Sequence, residues 1–277
     1  MEKILFTKMH GIGNDFVIID NRKEQLELIH RYACAIANRH TGIGCDQLII
    51  IENPRDNQAD AFMRIFNANG SEAEACGNAA RCVASILMTE SGNDQAIIET
   101  LAGLLDSNIA EEGLISVDMG QVKMDWRDIP LSEAIDTLHL GIGSGPLQDP
   151  VGVNIGNPHA VFFVEDADAI DLPQHCSILE RNKLFPKHAN ISVATIKNTN
   201  EIRLRVWERG VGETLACGSG ACATLVSANR RSLSGQDALV HLNGGTLHIE
   251  WLADNHVIMT GPVATSFSGF INPAVLN

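Results

Sequence analysis

The chain carries one cysteine motif twice, about half its length apart. Glu74-Ala75-Cys76-Gly77-Asn78-Ala79-Ala80 returns as Leu215-Ala216-Cys217-Gly218-Ser219-Gly220-Ala221. The echo runs upstream. Asn67 stands nine residues before Cys76, and Glu208 nine before Cys217; Glu72 and Glu213 each stand four before. Asn14 lies 62 residues ahead of its cysteine and Asn157 lies 60 ahead; Gln47 and Asn190 lie 29 and 27 ahead, each leading an apolar run. A fold that accommodates this pattern needs two similar units. Because polar side chains repeat along with core positions, the units are expected to serve one shared site.

Between the motifs the chain alternates apolar runs with turns. Strands are expected at Phe16–Ile19, Leu48–Ile51, Ala61–Phe66 and Ala96–Thr100, with helices at Gln25–Asn38 and from Asn78 to Met88. The second half expects strands at Ala160–Val164, Ile191–Ile196, Ile202–Trp207, Leu239–Leu242, Thr246–Trp251 and Val257–Thr260, and a helix over Ser219–Arg230. Gly261-Pro262 closes the last strong strand and leaves a short tail. The domain boundary is placed near Gln121–Asp125, giving units 1–121 and 122–262. Gly141-Ile142-Gly143-Ser144-Gly145 lacks the spacing of a dinucleotide loop and is read as a plain loop.

The net charge of −14 argues against a nucleic-acid or anionic-membrane surface. No apolar run reaches the ~18 residues needed to span a bilayer. The first ten residues show neither an apolar h-region nor a cleavage site. Seven cysteines, an odd number in a chain too large to need staples, fit a reducing compartment, so a cytoplasmic location is expected.

Each Cys-Gly step is placed where a turn enters a helix. A helix N-terminus favours negative charge, so both thiols are expected to ionise below the reference of about 8.5. The leading N–H groups can hold a carboxylate. Glycine after the cysteine lets a ligand approach the backbone. Two such ends around one carbon make a device for inverting it, with one thiolate removing the proton and the other thiol donating from the opposite face. Cys34, Cys45, Cys82, Cys176 and Cys222 are expected to be small buried hydrophobes. The spacings Cys76 to Cys82 and Cys217 to Cys222 are not those of a zinc knuckle, and no metal is expected.

The segments Met9-His10-Gly11-Ile12-Gly13-Asn14-Asp15-Phe16, Phe66-Asn67-Ala68-Asn69-Gly70-Ser71-Glu72, Ala75-Cys76-Gly77-Asn78, Gly156-Asn157-Pro158-His159-Ala160 and Glu208 through Gly220 closely resemble the diaminopimelate epimerase family. The resemblance runs from Met9 to Pro262. It implies an α/β (α+β) fold of two pseudo-symmetric domains, each a strand-rich, barrel-like sheet around a central helix, with the active site in the cleft between them. The tail, 263–277, is expected to return to the first domain. The resemblance also implies a homodimer and cofactor-independent interconversion of LL- and meso-diaminopimelate. By motif, Cys76 and Cys217 match the catalytic bases, and His159 and Glu208 match a pair that tunes the thiols and contacts substrate. Asn14, Gln47, Asn67, Asn157, Asn190 and Arg209 match substrate-binding positions, and Gly77-Asn78 and Gly218-Ser219 match the segments that hold the substrate at the helix ends. Asn69, Ala79 and Trp207 depart from the commoner Asp, Gly and Tyr.

Two relatives of this fold compete. A proline racemase or hydroxyproline epimerase would use the same thiol pair, but a proline ring has no distal charged end for Arg209 and the amides to recognise. A phenazine-biosynthesis-type isomerase is expected to lack the cysteine pair. A thiol redox or metal-binding protein is the alternative from another class.

Overall fold

The computed structural model describes residues 4–23 and 30–272. They form two compact units: residues up to Val117 with those from Gly261 onward, and Asp118–Thr260. Both are mixed α/β and strand-rich, and both are built to the same plan.

In the first unit the order is β1 (Ile4–Gly11), β2 (Asn14–Asp20), α1 (His30–Ala37), β3 (Gln47–Glu52), β4 (Ala61–Asn67), β5 (Glu72–Ala73), α2 (Gly77–Ser91), β6 (Gln95–Thr100), β7 (Gly103–Ile109) and β8 (Ile115–Gln121), which crosses into the second unit. Strand β1 runs antiparallel to β2, and β2 lies parallel to β3 across α1. Strands β3, β4 and β5 are successively antiparallel, and β4 lies parallel to β6 across α2.

The second unit opens with a small hairpin, β9 (Gly143–Ser144) and β10 (Leu147–Gln148), in place of the plain loop expected at Gly141–Gly145. It continues with β11 (Val151–Asn154), β12 (Pro158–Phe163), α3 (Leu172–Leu179), β13 (Asn190–Asn198), β14 (Glu201–Glu208), β15 (Gly212–Thr214), α4 (Gly218–Arg230), β16 (Asp237–Leu242), β17 (Gly245–Trp251) and β18 (His256–Gly261). The pairing repeats: β11–β12 antiparallel, β12–β13 parallel across α3, then β13–β14–β15 antiparallel, and β14–β16 parallel across α4. Parallel neighbours need a crossover, and helices supply it in both units.

The sheet cores follow from continuous β-branched runs. Phe16–Ile19 and Leu48–Ile51 are buried at every residue, as strands covered on both faces require. Val17, Ile19, Leu48 and Ile50 pack with Ala33, Ile36 and Ala37 of α1. The helical period that turns Ala33 and Ile36 inward turns Cys34 out, so this thiol is exposed, contrary to expectation. Helices α2 and α4 are the central ones. Residues Gly77–Ala84 of α2 are all buried, and α4 is buried over almost all of Gly218–Ala228. Arg81 apart, small side chains make this possible, because strands close around a thin helix; α4 touches β11, β12, β13, β14, β16 and β17.

Two expectations gain detail. The stretch after Pro262 returns to the first unit as expected, and it does so as a strand. Ala264–Ile271 is strand β19, paired with β1 in the first unit. Five of its first residues in a row are exposed, so no buried alternation announced it. The helix expected over Gln25–Asn38 is seen as α1 only from His30, and residues 25–29 lie outside the described residues.

Helix α2 ends at Gly92, whose φ of 73° is left-handed and whose N–H donates to the Met88 carbonyl at 2.9 Å. A Cβ there would meet no atom within 4 Å, so Gly92→Ala isolates the backbone term. It is expected to lower unfolding free energy by about 1 kcal/mol. Denaturant titration checks this, and an unchanged midpoint would contradict the assignment.

Candidate active site

In the first unit, register gathers three amides at one end of the sheet. Gln47 opposes Phe16 across the parallel pair and Asn67 across the antiparallel one, while Asn14 opens β2. Gln47 Nε2 donates to Asn67 Oδ1 at 3.0 Å, and Asn67 Nδ2 donates to Ser71 Oγ at 3.0 Å. Cys76 is the N-cap residue of α2 and is half-buried. Its thiol faces Asn14 Oδ1 at 3.9 Å, and the same oxygen accepts from Asn78 Nδ2 at 3.1 Å. Asn14 is held in that orientation from behind, because its Nδ2 donates to Asp46 Oδ2 at 2.9 Å. A carboxylate only accepts, so it fixes which end of the amide faces the thiol. Arg39 bridges Asp46 and Asp15, and Lys8 also pairs with Asp15. Burial pushes the Asp15 carboxyl up, but Arg39 and Lys8 outweigh it and hold the group well below the usual carboxylate range.

In the second unit, Cys217 is the N-cap residue of α4 and is buried. Its sulfur lies 3.6 Å from Ser219 Oγ, which lies 3.1 Å from His159 Nε2. The same ring nitrogen meets Asn157 Oδ1 at 2.8 Å and Asn190 Nδ2 at 3.5 Å. Asn190 Oδ1 accepts from the Arg209 backbone N–H at 2.8 Å, and Arg209 Nη1 donates to the Lys187 carbonyl at 3.0 Å. Cys217, Ser219, His159, Asn157, Asn190 and Arg209 therefore form one connected set. Glu208 ends β14 as Asn67 ends β4, and its Oε1 accepts from Thr214 Oγ1 at 2.6 Å. His159 is completely buried. Burial first, and then the Arg209 charge, push its pKa down to about 3, so the ring is neutral near pH 7.

Neither cysteine side chain caps its helix, and no acidic residue stands in either first turn. An anion brought to either end meets helix N–H groups without a competing carboxylate there. Burial pushes the thiols of Cys45, Cys82 and Cys176 up, to about 11, 12 and 12, which suits inert core residues. Among the described residues, no group of three or more His, Cys, Asp or Glu is placed to hold a metal ion.

The repeated glutamates have a structural task. Arg64 on β4 donates to Glu72 Oε1 at 2.7 Å, and Arg205 on β14 donates to Glu213 at 2.9 and 3.0 Å. The pairs tie β5 and β15 to their neighbours, just ahead of the cysteines. Two acids escaped the sequence reading. Asp46 stands immediately before Gln47, whereas Ala189 stands before Asn190; a search for repeats passes over it. Glu180, at the end of α3, is buried, yet its Oε2 accepts from Trp207 Nε1 at 2.8 Å and its Oε1 from the Gly210 N–H at 2.9 Å.

Solved structures share this architecture over nearly the whole chain. A predicted epimerase from Pseudomonas aeruginosa superposes with a TM-score of 0.71 at 17% identity, covering 97% of this chain and 99% of its own. A hydroxyproline epimerase from Agrobacterium vitis gives 0.70 at 13% identity, covering 98% and 91%. A phenazine biosynthesis protein from Bacillus anthracis gives 0.67 at 17% identity, covering 98% and 100%. These likenesses define the class: a two-unit α/β fold of the epimerase and phenazine-biosynthesis kind, here with a cysteine at the head of each central helix. Within it, the family model for diaminopimelate epimerase matches residues 6–125 and 151–266. Curated diaminopimelate epimerases from Rhodospirillum centenum and Acidiphilium cryptum are 54% and 52% identical over 271 residues, 98% of this chain and 93% and 97% of theirs. The chain belongs to the diaminopimelate epimerase family.

Two predictions follow from this geometry. The folded pKa of His159 lies below its unfolded value, so the unfolded chain binds the extra proton between about pH 6.5 and about 3. His159 therefore makes unfolding free energy fall as pH drops through that window, by at most ~1.4 kcal/mol per pH unit. Chemical denaturation of wild type and His159→Asn at pH 7 and pH 4.5 should show a smaller loss in the variant, and equal losses would contradict it. Separately, a Cβ at Gly220 would lie 3.2 Å from Cys217 Sγ and 3.0 Å from Val206 Cγ2, whereas the first unit carries Ala79 at this place. Gly220→Ala should change the iodoacetamide reaction rate of Cys217 severalfold and leave that of Cys76 alone, as read by peptide mass mapping.

Proposed function

We propose that this chain interconverts LL- and meso-2,6-diaminopimelate without a cofactor, using Cys76 and Cys217 as a pair of acid–base groups. The observation that carries the reading is the cysteine at the head of a buried helix, present once in each unit of a chain from this family. One thiolate takes the Cα proton and becomes a thiol. The other thiol gives its proton to the opposite face and becomes a thiolate, so the centre inverts and protons balance.

The Cα proton of an amino acid is weakly acidic, so the carbanion must be stabilised. The α-carboxylate is assigned to the N–H groups of Gly77-Asn78 and Gly218-Ser219. One well-placed donor of this kind is worth about 3–4 kcal/mol in other enzymes. Asn14 serves beside Cys76. His159, neutral, serves as a hydrogen-bonding post beside Ser219 and Asn157 rather than as a charge near Cys217.

The distal end of the substrate carries a second carboxylate and ammonium. Arg209 offers a planar fork for the carboxylate, and Glu208 an anion for the ammonium. Asn67, Asn157, Asn190 and Gln47 donate or accept without adding charge. This selection for a second charged end favours diaminopimelate over proline. No helix among the described residues is long and apolar enough to cross a membrane. We place the enzyme in the cytoplasm as a homodimer with neither nucleic-acid nor membrane partners.

The test is purified protein with LL-diaminopimelate in D₂O, without pyridoxal phosphate or added metal. Deuterium at Cα with conversion toward the meso form is expected. No exchange with verified reduced thiols, or exchange on proline instead, would overturn the reading.

A further inference from the structure

We infer that Glu180 is a positioning residue for the Glu208-Arg209 turn, and so for recognition of the distal end of the substrate. The inference rests on the function proposed above for Arg209. Trp207 and Gly210 flank the dipeptide Glu208-Arg209 on either side, and the two oxygens of the Glu180 carboxylate grip one flank each. The turn between them is closed by the Val211 N–H donating to the Glu208 carbonyl at 3.1 Å, with Gly210 at a left-handed φ of 74°.

The same residue also reaches the strand that holds Arg209 from the other side. The Glu180 backbone carbonyl accepts from the Ala189 N–H at 3.2 Å, next to Asn190, whose side chain accepts the Arg209 N–H. Residue 187, whose carbonyl receives the Arg209 guanidinium, lies in the same segment. Glu180 is only 5% exposed. Its bonds therefore compete little with water, and losing one leaves a buried group without its partner. Arg209 is exposed, so its place rests on the Lys187 carbonyl that its guanidinium meets and on what its backbone is tied to.

The chemistry of the clamp admits a sharp test. A carboxylate accepts at both oxygens; a glutamine offers one acceptor and one donor. In Glu180→Gln, an amide NH₂ must face either the indole N–H or the peptide N–H, two donors head to head. Replacing the indole by a ring without a donor removes that conflict, and the amide can rest on the aromatic face. In Glu180→Gln, amide hydrogen exchange of the peptide spanning 208–211 should rise tenfold or more. KM for diaminopimelate should rise about tenfold with kcat within about twofold. Glu180→Gln combined with Trp207→Phe should bring exchange back to within about threefold of wild type.

A role confined to general stability predicts the reverse, a double variant at least as perturbed as the sum of the two single ones. That result, or unchanged exchange in Glu180→Gln, would overturn the proposal. Should Glu180→Gln not fold, Glu180→Asp, whose carboxylate falls one methylene short, is expected to show the same rise, and unchanged exchange there would equally overturn it. The exchange readout needs no substrate. A wild type that fails to act on diaminopimelate would remove the proposed function while leaving the clamp decided by exchange alone.

Discussion

The structure turns on the burial of two helix N-termini. A helix that enters a protein core from its first residue brings backbone N–H groups that have no partner within the helix. Most folds answer with a Ser, Thr, Asp or Asn cap. Here Cys76 and Cys217 stand at the cap position, make no side-chain cap, and are followed by Gly and a small polar residue. The small residues that follow let strands pack closely around α2 and α4. The same sequence choice that makes the helices thin enough to be central also opens their heads to a carboxylate. Packing and proposed chemistry draw on one constraint.

The two helix heads are nonetheless furnished differently. In the first unit, charges stand behind the amide: Lys8, Asp15, Arg39 and Asp46 form a salt-bridged net that fixes Asn14. In the second, the neutral set Ser219, His159 and Asn157 stands behind the thiol, and Asn190 beside it accepts from the Arg209 backbone N–H. Burying a charge beside Arg209 would be costly, and the imidazole avoids the cost by staying neutral. The charge that does stay buried in that unit, on Glu180, is satisfied by two donors and ties the turn rather than the thiol.

Much of this was legible in the sequence because the chain states it twice. The duplicated cysteine, the amides ahead of each apolar run and the runs themselves located both central helices, the strands around them and the ends where β2, β3, β12 and β13 begin. What stayed hidden is what the two halves do not share. Asp46 has Ala189 as its counterpart. Cys34 looked like core, yet it falls on the outer face of α1 because a helix turns every residue by a fixed angle. Strand β19 has a mostly exposed face, so its pairing with β1 left no hydrophobic alternation to read. The repeated glutamates recur for a structural reason, since each pairs with an arginine on the adjacent strand.

The central claim is that both thiols are needed, each for one face of the same carbon. The most direct measurement is the initial rate of LL-to-meso conversion by Cys76→Ala and Cys217→Ala, with thermal unfolding recorded alongside. Each substitution should cut the rate at least a hundredfold, the low end for loss of a positioned acid or base, while the unfolding midpoint stays close to wild type. Near-wild-type inversion by either variant would contradict the two-thiol mechanism.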